Sequence, residues 1–293
     1  MKRSTGFSFV NVIITFILML FVILCIYPFY YMLIYSLSDP TASTQGIAFL
    51  PRDFTFANYR KVLNLPEIPR ALMVSVARTV LGTATTLACC GIFAYLVTQQ
   101  KMYFRKLIYR SVIVTMYVSG GLIPTFLVIM GLGLRNNFLV YILPLAMNAF
   151  YVILIKTFIE QLPASLEESA QLEGAGVLTR FFFVIAPLSK PIFATIAIFA
   201  AVHQWNSWFD AMIYMSRNDL KPLMLILYEY QQETQRLTNR ILEEILIGGG
   251  EIVLTPDAVR MTVTAVITIP IVLVYPFMQR HFVKGIMIGA IKG

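Results

Sequence analysis

Six stretches of this chain, residues 10–37, 71–97, 111–134, 138–158, 191–215 and 259–278, are predominantly apolar over 20 residues or more. A bilayer's hydrocarbon is about 30 Å thick and a helix rises 1.5 Å per residue, so roughly 20 helical residues cross it. Lipid offers no partner for backbone N–H and C=O groups, so apolar runs of this length cross as helices. The pattern predicts an all-α membrane protein of six transmembrane helices, with residues 1–293 forming a single domain. Composition agrees: 58% of residues are hydrophobic and only 13% charged, more apolar surface than one soluble core of this size can hide. The first run follows Lys2 and Arg3, is longer than a signal-peptide core and precedes no small-residue cleavage pattern, so it reads as a retained span.

Six spans place both termini on one side of the membrane. On that side lie twelve Lys and Arg residues, from Lys2 and Arg3 to Lys284 and Lys292, against four acids, Glu160, Glu167, Glu168 and Glu173. These account for the whole formal charge of +8, and positive charge marks the cytoplasmic side. The charge pattern thus predicts a multi-pass membrane protein with N- and C-termini inside. The basic excess is thereby an orientation signal, and nucleic-acid binding is not expected. Cys25, Cys89 and Cys90 all fall in apolar runs without CxxC spacing, which argues for packing rather than a disulfide framework or a metal site.

The predicted outer segments are residues 38–70, a turn around Arg135 and Asn136, and residues 216–257, where 225–245 mixes apolar and charged residues at helical spacing. Pro124, in Gly120-Gly121-Leu122-Ile123-Pro124, predicts a break or kink in the third span. That bend is either functional or an instance of the Pro and Gly that membrane helices commonly carry.

Between the fourth and fifth runs, residues 163–187 read as two short helices joined by a turn. Ser165 followed by Glu168 has the spacing of a capping box, and Gly174 suits a left-handed helix end. A cytoplasmic hairpin of about 25 residues is long for a connector and predicts a docking element. The segment resembles the inner loop of binding-protein-dependent ABC importer permeases, which carries E-A-A, three residues, G, nine residues, then I-x-L-P. Here the residues are Glu168-Ser169-Ala170, Gly174 and Val184-Ile185-Ala186-Pro187, with the spacing kept and small or apolar replacements at Ser169, Val184 and Ala186.

The stretches Phe54 to Tyr59, Ser119 to Thr125, Trp205 to Asp210 and Phe282 to Gly289 resemble the carbohydrate branch of that family. The likeness is to the maltose-type permeases, and within them to those serving large or acidic oligosaccharides, such as the second permease of an alginate importer. The resemblance implies that Glu168, Ser169, Ala170, Gly174 and Pro187 couple the spans to a separate ATPase, and that Lys284 and Gly285 in the tail contact it; the tail equally suits anchoring to anionic membrane lipid. It further implies location in a bacterial cytoplasmic (inner) membrane, a second, non-identical permease subunit, two ATPase subunits carrying ATP and Mg, an extracytoplasmic sugar-binding protein and a sugar substrate, with no cofactor on this chain.

The fifth run carries the residues best suited to meet a sugar: His203, Gln204, Trp205, Asn206, Trp208 and Asp210. Amides and indoles complement hydroxyls and apolar ring faces, and an ionised group at membrane depth normally faces a cavity or a partner. The competing placement puts Trp208 and Asp210 at the outer interface and leaves Gln204 to Asn206 joining helices. Arg78 is expected to snorkel to the outer surface, with attraction of an anionic sugar as the alternative. An ion-gradient-driven secondary transporter would show repeats and mid-membrane acids, and Asp210 is the one acid within these six runs. Enzymatic function is not expected: two histidines without HExxH, no GxSxG around Ser119 and no GxxxxGK[ST] exclude the common hydrolase and nucleotide signatures.

Overall fold

The computed structural model describes residues 9–43, 49–232, 257–258, 260–269 and 272, and every regular element among them is helical. The chain forms two compact units, residues 1–65 with 229–269, and residues 66–228 with 270–293.

The first unit is dominated by helix α1 (Phe9–Ser36). Its side chains are apolar on all sides and exposed along most of its length, with burial beginning near Met32. The chain then turns back, and the Asn58 amide donates to the carbonyls of Ser36 (3.1 Å) and Ser38 (2.8 Å). The hydroxyls of Tyr59 and Ser36 lie 2.8 Å apart. The Ser36 carbonyl is the last of the helix and has no intrahelical donor of its own, and that of Ser38 lies in the turn that follows. The residues Phe54 to Tyr59 thus staple the end of α1. A helix at Arg260–Ile269 also belongs to this unit.

The second unit is built on α2 (Glu67–Thr98), whose 32 residues span about 48 Å. Next come α3 (Arg105–Val114), α4 (Leu122–Gly131) and a single 3₁₀ turn, Phe138–Tyr141. They are followed by α5 (Ala149–Ile159), α6 (Ala164–Leu172), α7 (Val177–Leu188), α8 (Lys190–Asn206) and α9 (Phe209–Tyr214). Helix α2 packs along both α8 and α5. Close approach to α8 depends on two glycines: a Cβ on Gly82 would strike the Gln204 amide, and one on Gly91 would lie 2.7 Å from the Phe193 ring. Small residues at such crossings let backbones near one another in membrane helices. The Lys156 ammonium lies 4.7 Å from the Tyr109 ring centre and 2.6 Å from Glu160, tying α3 to α5.

Two helices, α1 and α2, are individually long and apolar enough to cross a membrane; counting the bent pairs α5–α6 and α7–α8 as spans gives up to four among the described residues. Three of the predicted runs are interrupted. The run 111–134 breaks between α3 and α4, at Gly121 with φ +81°, while Pro124 is the third residue of α4, where its missing N–H is harmless. The break thus falls at the glycines of the Gly120-to-Pro124 stretch and not at its proline. The run 138–158 opens with the 3₁₀ turn and irregular backbone, and Asn148 caps α5 by accepting from the N–H groups of Phe150 and Tyr151. The run 191–215 is cut at Ser207. Much of the run 259–278 lies outside the described residues.

Freed backbone groups in these breaks are met by side chains of α2 and α8. Thr86 donates to the Leu145 carbonyl (3.0 Å), the Gln204 amide to that of Tyr141 (3.1 Å), and the Asn148 N–H to the Cys90 sulfur (3.3 Å). Of the three cysteines expected to pack, Cys90 is buried and Cys89 partly buried, whereas Cys25 is exposed on α1, which has few neighbours along most of its length.

Candidate functional site

Helix α8 stops at Asn206 because Ser207 turns to extended backbone (φ −74°, ψ 127°), and α9 resumes at Phe209. The stop is held from α2 by Arg78, which is fully buried. Its Nε and Nη2 donate to Gln204 Oε1 at 3.3 and 3.2 Å, its Nη1 to the Ser207 carbonyl at 3.1 Å, and its two terminal nitrogens to the Asp210 carboxylate at 3.4 and 2.7 Å. These five contacts match the five donors of a guanidinium. The group also lies 4.3 Å from the centre of the Tyr141 ring. Asp210 accepts further from the Ser207 hydroxyl (3.0 Å) and the Ala211 N–H (2.8 Å). The snorkelling expected of Arg78 is therefore corrected. A buried guanidinium needs an ion partner, and here the partner sits 132 residues away in sequence.

Beside this break opens a cavity of about 620 Å³. Asn148, Phe150 and Tyr151 line it from the start of α5, and Phe199, Val202, His203 and Asn206 from the end of α8; Ser207, Trp208 and Phe209 complete it. Rings and amides alternate on its wall, and neither Lys nor Arg is among the lining residues. The Trp208 ring stacks on Tyr228 with centroids 4.1 Å apart.

At the other end of α2 lies a helical hairpin. Helix α5 meets α6 at 81°, and α7 meets α8 at 85°, so α6 and α7 lie nearly across the helices that flank them. The reversal between α6 and α7 is a Schellman end: the Ala175 N–H donates to the Ala170 carbonyl (3.0 Å), the Gly174 N–H to that of Gln171 (3.0 Å), and Gly174 takes φ +82°. The expected capping box does not form. Helix α6 begins at Ala164 with Pro163 before it and no side-chain cap, so Ser165 is already inside the helix, and the Ser169 hydroxyl bonds back to the Ser165 carbonyl (2.8 Å). Ahead of Pro187 the helix widens into a π turn at Phe181–Ile185, which takes up a proline inside a helix, where a regular turn would clash with its ring. Glu168, Ser169 and Pro187 are exposed. So are Leu172, at 90%, and Leu178, Phe182 and Phe183.

The inward face of the hairpin is polar. Glu167 Oε1 accepts from the Tyr95 hydroxyl (2.6 Å) and the Gln99 amide (2.8 Å), and the Arg180 guanidinium lies 3.3 Å from it. Arg180 donates to Gln171 as well (3.0 Å). A cleft of about 540 Å³ runs beside this group, bounded by Gln99, Lys101, Arg105, Glu160 and Glu168.

Residues 88–288 of the chain match one known family, the binding-protein-dependent transport system inner membrane component. The chain belongs to this family. It is thus an inner-membrane permease component of an ABC transporter, whose ATP is handled by a separate subunit, and it acts in a complex of permease, ATPase and binding protein. The permease is 35% identical to the polygalacturonan/rhamnogalacturonan transport system permease protein YtcP of Bacillus subtilis, over 94% of this chain and 96% of that protein. Its identity to the protein LplC of the same organism is 37%, over 92% and 90%. It superposes with TM-score 0.85 and 28% identity on a chain of a bacterial ABC transporter that imports the acidic polysaccharide alginate, covering 96% and 99%.

Of the sequence-predicted pathway residues in this permease, His203, Asn206 and Trp208 line the cavity, Gln204 and Asp210 are spent on Arg78, and Trp205 is half-buried outside the lining. Glu168, Ser169, Ala170, Gly174 and Pro187 lie together on the hairpin. Lys284 and Gly285 lie outside the described residues. Sequence reasoning missed Asn148, Phe150 and Tyr151, whose signal was a capping asparagine before an aromatic pair in an otherwise apolar run. It also missed Tyr95, Gln99, Glu167 and Arg180, which no local spacing unites.

Proposed function

We propose that this chain is one of two permease subunits of an importer for oligosaccharides or polysaccharides, that it crosses the membrane six times with both termini cytoplasmic, and that its cavity lines the sugar path. The cavity carries the reading. Aromatic faces of Phe150, Tyr151 and Trp208 beside the amides of Asn148 and Asn206 suit pyranose rings and their hydroxyls. The similarity to permeases named for polygalacturonan and alginate import supports a large, acidic sugar. All the donors of Arg78 are taken, so a uronate carboxylate in the cavity would meet amide, imidazole and hydroxyl groups instead of a guanidinium.

On the same reading, the α6–α7 hairpin docks in a cleft of an ATPase subunit. Its exposed Leu172, Leu178 and Phe183 supply apolar area for such a contact, Glu168, Ser169, Ala170 and Gly174 shape it, and the tail around Lys284 and Gly285 reaches the same partner or lipid. A second, non-identical permease, two ATPases and an extracytoplasmic sugar-binding protein complete the complex. The test is purification from the native membrane with its partners, followed by uptake of galacturonate and alginate oligosaccharides into liposomes. ATP-dependent uptake that falls about ten-fold in Asn206→Ala, as loss of hydrogen bonds to a substrate does, is expected. Uptake by the chain alone without ATP would overturn the reading.

A further inference from the structure

The hairpin is joined covalently to α5 and α8, yet its strongest polar connection runs to neither. Glu167 on α6 gathers Tyr95 and Gln99, in and just beyond the last turn of α2, and Arg180 at the start of α7, so one carboxylate joins three helices. Tyr95 is completely buried, and its ring lies 5.4 Å from that of Phe181, the first residue of the π turn. Arg180 adds the bond to Gln171, which holds α6 and α7 to one another. The hairpin and the end of α2 are therefore one polar-and-aromatic block rather than two surfaces in apolar contact. Hydrogen bonds to charged groups are stronger and more directional than apolar contacts, so they resist sliding.

Seventeen residues further back along α2, roughly 25 Å away along the axis, Arg78 grips the Ser207 break beside the cavity. We infer that Glu167 is a positioning residue of the transport cycle: it locks the hairpin to α2, so that displacement of the hairpin is carried along α2 to the break that shapes the sugar cavity. This rests on the reading of the hairpin as the ATPase-docking element. It assigns transmission to α2 in addition to the direct continuation of α7 into α8, where the backbone bends by 85° and Ser189 intervenes. A bend of that size is a poor lever by itself, whereas α2 is an unbroken rod from one grip to the other.

The experiment uses the purified complex in liposomes, with wild type, Tyr95→Phe, Glu167→Gln and Glu167→Ala. Three quantities are read: ATPase co-purification, ATP hydrolysis, and sugar imported per ATP hydrolysed. Transmission through Glu167 predicts normal co-purification, hydrolysis at least as fast as wild type, and sugar per ATP reduced about ten-fold in Glu167→Ala, within the range of ordinary coupling energies. Glu167→Gln keeps an acceptor for Tyr95 but loses the charge, and is expected to fall between Glu167→Ala and wild type. Tyr95→Phe, which keeps the buried ring and removes one hydroxyl, guards against a fold defect and should also lower the ratio. Unchanged sugar per ATP in both Tyr95→Phe and Glu167→Ala overturns the inference. So does loss of the ATPase from Glu167→Ala, which would make Glu167 a docking contact. A cysteine introduced as Leu172→Cys and cross-linked to the ATPase tests the underlying docking reading separately.

Discussion

Helix α2 is held at two points, at Arg78 within it and near Tyr95 in its last turn, by charged groups built on different terms. Around Arg78 every donor is matched, the guanidinium is fully buried although 19% of the Asp210 side chain is exposed, and three neighbouring backbone or side-chain groups complete the site. Around Glu167 the carboxylate is exposed to a similar degree, 24%, but a cleft runs beside it, and the Arg180 Nε has no partner among the described residues. The difference teaches what each site holds: at the first, removing a partner strands a buried guanidinium or its counter-ion, while at the second the hold of the hairpin on α2 converges on a single carboxylate.

That contrast orders the expected effects. The largest belongs to Arg78→Met, which takes the ion partner from Asp210 and the donors from Gln204 and the Ser207 carbonyl and should lower stability by about 3 kcal/mol; detergent melting and yield read it, and an unchanged melting temperature would dissolve the distinction between the two sites. Next is Gly82→Val, whose side chain must displace Gln204 from the guanidinium; overpacking of this kind costs about 1–3 kcal/mol. A melt equal to wild type would show that α2 and α8 can separate there freely. Gly174→Asp acts at the other end: a side chain at φ +82° strains the reversal by roughly 1 kcal/mol, and transport should fall more than stability does. Wild-type transport with full ATPase assembly in that variant would remove the hairpin from the coupling machinery. The smallest effect is expected for Glu160→Gln, which removes a half-exposed i,i+4 pair with Lys156 and should change stability by about 0.3–0.5 kcal/mol; a larger loss would mean that α3 depends on it.

Local chemistry was legible in the sequence where a single residue carried it. Gly174 sits left-handed because it is the residue that closes a helix there, and the two-helix hairpin follows from its prolines and apolar positions. Legibility failed where the decisive partner was distant. Arg78 read alone looks like a residue that must reach water; its ion partner lies in a different run, and nothing in the spacing of either announces the other. The capping box failed for a subtler reason: Ser165 and Glu168 have the right separation, but α6 starts one residue earlier at Ala164, behind Pro163. Interrupted helices were also under-read, since hydropathy averages over Ser207 and Asn148 and reports an unbroken run where the backbone is broken.

Helix α1 has a consequence of its own. Because its surface is greasy on every side, rotation about its long axis changes almost nothing in what it presents to lipid, and its azimuth is close to degenerate. Asn58 and Tyr59, fastened to the carbonyls and hydroxyl at its foot, act as a keel: they select one heading from a continuum. Orientation in this segment is written into six residues after the helix and hardly at all into the 28 within it.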